Sequence, residues 1–294
     1  MRHRIMPVTT TGAWRLLAVL VLWVGLVSVL VSALAPQALA RGADRDRIAA
    51  FLNVTGFDVA VASIALSAET APEWLGFSAD EFGPDWSRVT AEVFAPDAMQ
   101  AMALDILEQT LDPADLIHAV DFYAGDLGQR LVAIENAAHM DPDRAARAAE
   151  GAALVERLRA EDAARLALLQ RMLDAIGSDD ASVRAIEEIQ LRTLLAASAA
   201  GVIELALDED GLRAVMAEGR AALRQEIAAL GLAGAALTYR DLSDAELLAY
   251  VEALEEPRMG RVYELLNAVQ HEITADRFET LALRMAQLSP QTEL

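Results

Sequence analysis

The sequence predicts an all-α protein made of two diverged helical units. Apolar residues recur at three- and four-residue spacing along much of the chain, which is the spacing of one helix face. A helix-corner-helix stretch at 111–135 returns at 242–267. Each copy begins with a capping residue, breaks at a turn and restarts near a glycine. The return of this motif predicts that one helical unit is used twice.

Four segments are predicted in chain order. Residues 1–40 form an export signal, 41–141 the first helical unit, 142–177 a long connecting helix and 178–294 the second unit. An apolar stripe, with charges alternating at four-residue steps beside it, predicts that the connecting segment is one continuous helix.

The first corner is set by local signals. Asp112 can cap the backbone N–H groups of the next turn, and Pro113 suits the first helical position because its missing N–H costs nothing there. Gly128 lies early in the second helix, where the absence of a side chain lets two helix backbones approach. Four side chains at helical spacing are predicted to face the core: Leu116, Ala119, Val120 and Tyr123.

At the second corner, different residues predict the same helix start and the same helix break. Ser243 and Glu246 form an S-x-x-E capping box. Pro257 forces the break because its ring cannot sit inside the preceding helix. Gly260 is expected to allow the same close approach as Gly128, although this copy carries one extra residue.

The segment 122–128, FYAGDLG, resembles the F-Y-x-[ST]-P-x-G pattern of the bacterial family called domain of unknown function 2059, or DUF2059. Phe122, Tyr123 and Gly128 match in register. Gly125-Asp126 stands where the family usually has Ser/Thr and Pro.

The second copy resembles the same family weakly. It keeps Pro257 and Gly260 but lacks the Phe-Tyr pair. The resemblance of the first unit extends over about 48–140, and it implies a helical, exported protein. It supplies no catalytic residues, because the matching residues are structural types.

The first 40 residues have the features of an export signal. Arg2, Arg4 and Arg15 precede an uncharged run at 16–34. Ala38-Leu39-Ala40 then offers a small-x-small cleavage site. We expect cleavage after Ala40 and delivery to the periplasm or beyond the cell. The apolar run is also close to the length that spans a bilayer. An uncleaved inner-membrane anchor, with the body in the periplasm, is therefore the alternative.

Charge and composition narrow the classes of partner. Residues 1–40 contain three of the 24 basic residues and none of the 45 acidic ones, so the rest of the chain has a formal charge of −24. Nucleic acid and anionic lipid surfaces repel so acidic a body. We therefore expect no nucleic-acid partner, and membrane attachment only through an uncleaved N-terminus. The chain has no cysteine, which excludes disulfides and cysteine nucleophiles.

An apolar segment and an aromatic stretch precede the first corner. Residues 45–67 are predicted as one buried helix with Gly56 inside it, and a strand over 59–66 is the alternative. The stretch 71–86 is acidic and rich in proline and glycine, which indicates a structural plug or a partner-gripping surface. Its candidate partner-binding residues are Trp74, Phe77, Phe82 and Trp86.

No complete catalytic or cofactor motif occurs in the sequence. His271-Glu272 begins the H-E-x-x-H pattern of zinc proteases, but Ala275 stands where the second histidine is needed. An acidic run at 208–211 lacks the flanking ligands of a calcium loop and is better explained as a helix cap. We therefore expect no catalytic residue, no metal and no cofactor.

Three functions stay open. We favour a non-catalytic binding or scaffolding module of the cell envelope that holds another exported protein or peptide, through the aromatic stretch or a groove between the units. One alternative is an enzyme acting on cell-wall glycans with two carboxylates from Glu73, Asp80, Glu81 and Asp85. The other is a carrier of a small apolar ligand.

Overall fold

A computed structural model describes residues 44–68, 82, 85–177 and 179–288. Within these ranges the regular structure is entirely helical and contains no strand, which confirms the all-α prediction. The predicted signal, cleavage site and anchor lie outside the described residues. The described residues from Ile48 onward form one compact unit.

Helices follow one another along the described chain. In chain order they are α1 (Asp44–Thr55), α2 (Phe57–Ala62), the 3₁₀ helix η1 (Ser63–Ser67), α3 (Asp85–Val93), α4 (Pro96–Thr110), α5 (Pro113–Tyr123), α6 (Asp126–His139), α7 (Arg144–Glu161), α8 (Ala163–Ile176), α9 (Asp179–Ala199), α10 (Glu209–Thr238), α11 (Asp244–Leu254) and α12 (Pro257–Met285).

The first apolar segment is helical but not continuous. Gly56 separates α1 from α2 and has a φ of 73°, in the left-handed region that favours glycine. A Cβ at this position would also lie 2.5 Å from Oδ1 of Asn136. The predictions of one unbroken helix and of a strand over 59–66 are both wrong, because Gly56 turns the chain between two helices.

Both predicted corner starts are confirmed. Pro113 is the first residue of α5, and Oδ1 of Asp112 accepts a hydrogen bond from the backbone N–H of Ala114 at 2.7 Å. At the second corner the backbone N–H of Ser243 donates to the Glu246 carboxylate at 2.8 Å. The backbone N–H of Glu246 donates back to the Ser243 hydroxyl at 3.3 Å. This reciprocal pair is the predicted capping box.

The two corner glycines have different surroundings. A Cβ at Gly128 would lie 2.5 Å from Cα of Tyr123 and 2.8 Å from its carbonyl carbon, so α6 touches the end of α5 as predicted. A Cβ at Gly260 would meet no heavy atom within 4 Å. The predicted close approach at Gly260 is therefore wrong, because this position of α12 faces open space.

The segment between the units is two helices, α7 and α8. Asp162 leaves the helical conformation, with φ of −148° and ψ of 71°, and its carboxylate accepts the backbone N–H of Arg165 at 3.0 Å. The prediction of one continuous helix over 142–177 is wrong, since Asp162 ends α7 and caps α8. Gly151 in α7 packs closely on α10, where a Cβ would lie 2.7 Å from the carbonyl carbon of Ala233.

One hydrophobic core runs through all three predicted segments of the body. Phe51 of α1, Leu169 of α8 and Phe278 of α12 belong to the same buried cluster, and each is almost fully buried. In the second predicted unit, α9 ends at Ala199 and α10 continues to Thr238. The two corners thus face a shared core.

No helix among the described residues is by itself both long and apolar enough to cross a bilayer. Asp44–Thr55 and Phe57–Ser67 together pass on length and composition, but the chain bends by 83° between them.

Candidate functional site

All four tyrosines of the chain meet beside one carboxylate. Tyr123 ends α5, Tyr239 follows α10, and Tyr250 and Tyr263 lie on α11 and α12. Glu135 of α6 accepts hydrogen bonds from two of them. We call these five residues the tyrosine–glutamate cluster. Five stretches of chain, from both predicted units, have to be in place for it to form.

Glu135 receives both of its hydrogen bonds at one oxygen. The Tyr239 hydroxyl donates to Oε1 at 2.7 Å, and the Tyr250 hydroxyl donates to the same atom at 2.9 Å. The second oxygen, Oε2, accepts no hydrogen bond from any residue that the structure describes. The described hydrogen bonds therefore hold the carboxylate through one of its two oxygens.

The other two hydroxyls extend this network away from the carboxylate. The Tyr263 hydroxyl lies 2.9 Å from that of Tyr250, and the Tyr123 hydroxyl contacts Tyr263 and lies 3.3 Å from Tyr250. A phenol has one proton to donate. Since Tyr250 donates to Glu135, Tyr263 donates to Tyr250 and Tyr123 donates to Tyr263. The hydrogen bonds thus all point toward Glu135.

Burial changes the acidity of the whole cluster. It raises the pKa of Glu135, and the hydrogen bonds from Tyr239 and Tyr250 oppose that rise. Burial, followed by the nearby charge of Glu135, raises the pKa of Tyr239, Tyr250 and Tyr263 above the ordinary range. The tyrosines therefore keep their protons and act as neutral hydrogen-bond donors.

A cavity of about 410 Å³ opens beside the cluster. All four tyrosines and Glu135 line it, with Asn136 and Gln270, and so form a polar wall. The volume lies within the range of pockets that hold small molecules. Apolar side chains from α2, α8, α10 and α12 form much of the remaining wall; they include Phe57, Met172, Leu173, Ile176, Leu230 and Leu266. Further polar lining residues are Thr55, His139, Arg147, Thr238 and Asn267.

Two glycines of α10 help to keep this space open. Gly231 and Gly234 both line the cavity. A Cβ at Gly231 would lie 3.8 Å from Leu173, and one at Gly234 would meet no heavy atom within 4 Å. Glycine inside a long helix costs about 1 kcal/mol relative to alanine. The two glycines therefore lower the stability of α10 and leave space in the cavity that side chains would occupy.

Of the two basic side chains that line the cavity, Arg147 has an acidic partner and His139 is uncharged. The guanidinium of Arg147 lies 3.5 Å from the Asp141 carboxylate and donates to the Thr238 hydroxyl at 3.1 Å. Burial, and secondly the charge of Arg144, lowers the pKa of His139, so this side chain is neutral at pH 7. Neither forms an ion pair with Glu135 among the described residues.

Neighbouring groups hold the tyrosines in position. Arg165 of α8 donates to the backbone carbonyl oxygens of Tyr239 at 2.8 Å and Leu242 at 2.9 Å, which fixes the turn after α10. Phe122 lies almost parallel to the ring of Tyr250, with centroids 6.0 Å apart. The cluster is thus supported from α5 and α8.

The residues that match a known protein family include the first corner. Residues 97–155 match DUF2059. The family is described as an uncharacterized protein conserved in bacteria. The match confirms the resemblance seen in FYAGDLG, but it begins later than the expected residue 48 and ends later than residue 140, within α7. No curated protein and no solved structure matches the chain.

The DUF2059 segment contributes part of the cavity. It carries Tyr123 and Glu135, whereas Tyr239, Tyr250 and Tyr263 come from the chain after the match. The cluster therefore combines the matched segment with chain that the family comparison does not cover.

The corner motif residues have separate places around the site. Tyr123 belongs to the cluster, Phe122 stacks on a cluster tyrosine and Gly128 lets α6 approach α5. Pro257 begins α12, and Gly260 faces open space. Sequence reasoning identified the first corner but missed Glu135 and the other three tyrosines. The one available signal was that every tyrosine of the chain falls within 123–263.

The aromatic stretch is described only in part. Phe82 and Trp86 are buried, at 5% and 6% exposure, and their ring centroids lie 5.4 Å apart. These two side chains belong to the core, which favours the structural plug over a partner-gripping surface. Trp74 and Phe77 lie outside the described residues.

The carboxylates considered for glycan hydrolysis do not form a described site. Glu73, Asp80 and Glu81 lie outside the described residues. Asp85 pairs with Arg88 at 3.2 Å on an exposed face of α3. Among the residues that the structure describes, no three His, Asp or Glu side chains are grouped closely enough to hold a metal ion.

Proposed function

We propose that the protein is an exported, non-catalytic binding module that holds a small amphipathic molecule in the cavity beside the tyrosine–glutamate cluster. The proposal rests on Glu135, which lines a cavity of about 410 Å³ and whose Oε2 accepts no hydrogen bond from the described residues. A hydrogen-bonding group at one end of a ligand would use this oxygen. An apolar remainder would pack against the walls from α8, α10 and α12.

The arrangement favours binding over catalysis. The four phenols have raised pKa values and hold their protons, so they are poor acids and bases near pH 7. Glycosidases need two carboxyl groups across the scissile bond. Glu135 is the one carboxylate among the described lining residues.

The cavity also shifts the preference among binding functions. The sequence favours a protein or peptide held by the aromatic stretch, but Phe82 and Trp86 are core residues. A protein partner stays a prediction for Trp74 and Phe77. Export through residues 1–40 would place the module in the periplasm, released by cleavage after Ala40 or held by an uncleaved anchor.

The test is whether filling the cavity removes a co-purifying molecule. Gly234→Leu adds a side chain where α10 lines the cavity and has room for one. Gly219→Leu is the matched control, because Gly219 lies on the same helix, also has no neighbour within 4 Å, and is away from the cavity. The full chain is expressed and purified, and small molecules released on denaturation are identified by mass spectrometry.

We expect a small molecule from the wild-type protein and from Gly219→Leu, and its loss from Gly234→Leu. Release of nothing specific from the wild-type protein contradicts the proposal. Release of the same molecule in equal amount from Gly234→Leu does so too.

A further inference from the structure

We infer that the ligand is an organic cation, a protonated amine on an apolar body, whose charged end contacts Oε2 of Glu135. This inference rests on the proposed function and specifies the class of ligand. The acceptor is a carboxylate with two neutral donors on Oε1 and an unpartnered second oxygen. An ammonium group supplies donors and a compensating charge together.

Among the ionisable side chains that line the cavity, Glu135 has no oppositely charged partner among the described residues. Arg147 lies against Asp141, and its guanidinium also donates to Thr238. His139 is neutral at pH 7, and the tyrosines are neutral phenols. Glu135 is therefore the lining carboxyl group without an opposite charge among the described residues. Burial alone raises its pKa, and a cation against Oε2 would favour the ionised form, with an attraction that strengthens as water is excluded.

The rest of the wall also suits a cation. Four tyrosine rings border the cavity, and aromatic rings attract ammonium groups through their electron-rich faces. Asn136 and Gln270, on the same wall, offer carbonyl oxygens as further acceptors. The walls from α8 and much of α10 are apolar, so the preferred amine carries a hydrocarbon body.

The field of the whole chain acts in the same direction. The chain after residue 40 carries a formal charge of −24, which concentrates cations near its surface and repels anions. An anionic ligand would have to approach against this field and then lie beside Glu135. Arg147 offers it little compensation because Asp141 already accompanies that guanidinium.

The test compares three molecules that share a six-carbon chain and differ in charge. Hexylammonium, hexan-1-ol and hexanoate are titrated into the purified full-length protein by isothermal calorimetry at pH 7. We expect hexylammonium to bind about tenfold or more tightly than hexan-1-ol, given the strength of hydrogen bonds to charged groups. Hexanoate should bind weakest.

Two variants assign the effect to Glu135. Glu135→Gln keeps a carbonyl oxygen for the tyrosines but removes the charge, so hexylammonium should lose its advantage over hexan-1-ol. Glu218→Gln removes an exposed charge from α10 and should leave the advantage unchanged. Circular dichroism checks that each variant is folded. The comparison in the wild-type protein decides the question even if Glu135→Gln does not fold.

The outcomes separate the two proposals. If hexan-1-ol or hexanoate binds as tightly as hexylammonium, the cation inference is wrong but the cavity still binds small molecules. If Glu135→Gln keeps the full preference, the inference is wrong about the residue. If none of the three molecules binds the wild-type protein, both the inference and the proposed function are overturned.

Discussion

The corner glycines give the sharpest test of the packing. Gly128 and Gly260 occupy matching places in the repeated motif, yet a Cβ at Gly128 would lie 2.5 Å from Cα of Tyr123, and one at Gly260 would meet nothing within 4 Å. Carbon atoms pack at roughly 3.5–4.0 Å. Gly128→Ala therefore needs α6 to move by about 1 Å from the end of α5.

The two substitutions should change stability in opposite directions. Overpacking of this kind costs about 1–3 kcal/mol, so Gly128→Ala should lower the free energy of unfolding by that amount. Gly260→Ala meets no clash and gains helix propensity, which is worth about 1 kcal/mol. The expected difference between the two variants is thus roughly 2–4 kcal/mol.

Urea unfolding followed by far-ultraviolet circular dichroism measures this difference. With an m-value of about 3 kcal/mol/M, the two midpoints should lie about 1 M urea apart, on either side of the wild type. Equal m-values and equal native spectra are the controls. Coincident midpoints, or a larger loss for Gly260→Ala, would refute the close contact between α5 and α6.

Three further changes test the α7–α10 contact and the cluster. Gly151→Ala places a Cβ 2.7 Å from a backbone carbon of α10, so we expect a loss of about 1–3 kcal/mol in urea unfolding; an unchanged midpoint contradicts this. Tyr250→Phe removes one of the two donors to Glu135, and the unfolding free energy should fall by roughly 1–3 kcal/mol; a neutral effect would mean that the hydroxyl is not needed. Burial raises the pKa of Glu135 in the folded state above its value in the unfolded chain. The contribution of Glu135 to the free energy of unfolding is therefore fully present below the unfolded pKa, and it is lost as pH rises through the folded pKa. The stability of the wild type relative to Glu135→Gln should therefore decline from about pH 4 upward, and a pH-independent difference between their urea midpoints argues against it.

Local signals in the sequence predicted the starts of the corner helices. Asp112, Pro113 and the Ser243–Glu246 box act within one helical turn, so their roles follow from neighbouring residues alone. The sequence predicts a close helix approach at both Gly128 and Gly260, and the structure has it at Gly128 alone of the two. Packing around a glycine depends on what another helix brings near it, which neighbouring residues in the sequence do not report.

The break at Asp162 shows the limit of periodicity. The apolar stripe continues through 142–177, so the pattern indicates one helix even though the backbone leaves the helical conformation at one residue. An aspartate suits either a helix surface or a cap. Its backbone conformation, with the carboxylate capping α8, distinguishes the two, and a hydrophobic pattern does not report it.

The tyrosine–glutamate cluster could not be predicted from spacing. Tyr123 and Tyr263 are 140 positions apart, and their contact depends on how α5 and α12 pack. Nothing in the local sequence distinguishes Glu135 from the other acidic residues on helices. The cavity is likewise a property of the assembled helices, although the glycines of α10 are visible in the sequence.

Binding of a small molecule beside the tyrosines can be observed directly, because the tyrosines themselves report it. All four tyrosines line the cavity and the chain has no others, so protein labelled at the tyrosine Cζ carbons gives a carbon NMR spectrum that reports only on this site. We predict that hexylammonium or hexan-1-ol shifts these signals in the wild type and in Gly219→Leu but not in Gly234→Leu. Tyrosine signals that neither molecule moves in the wild-type protein would contradict the claim.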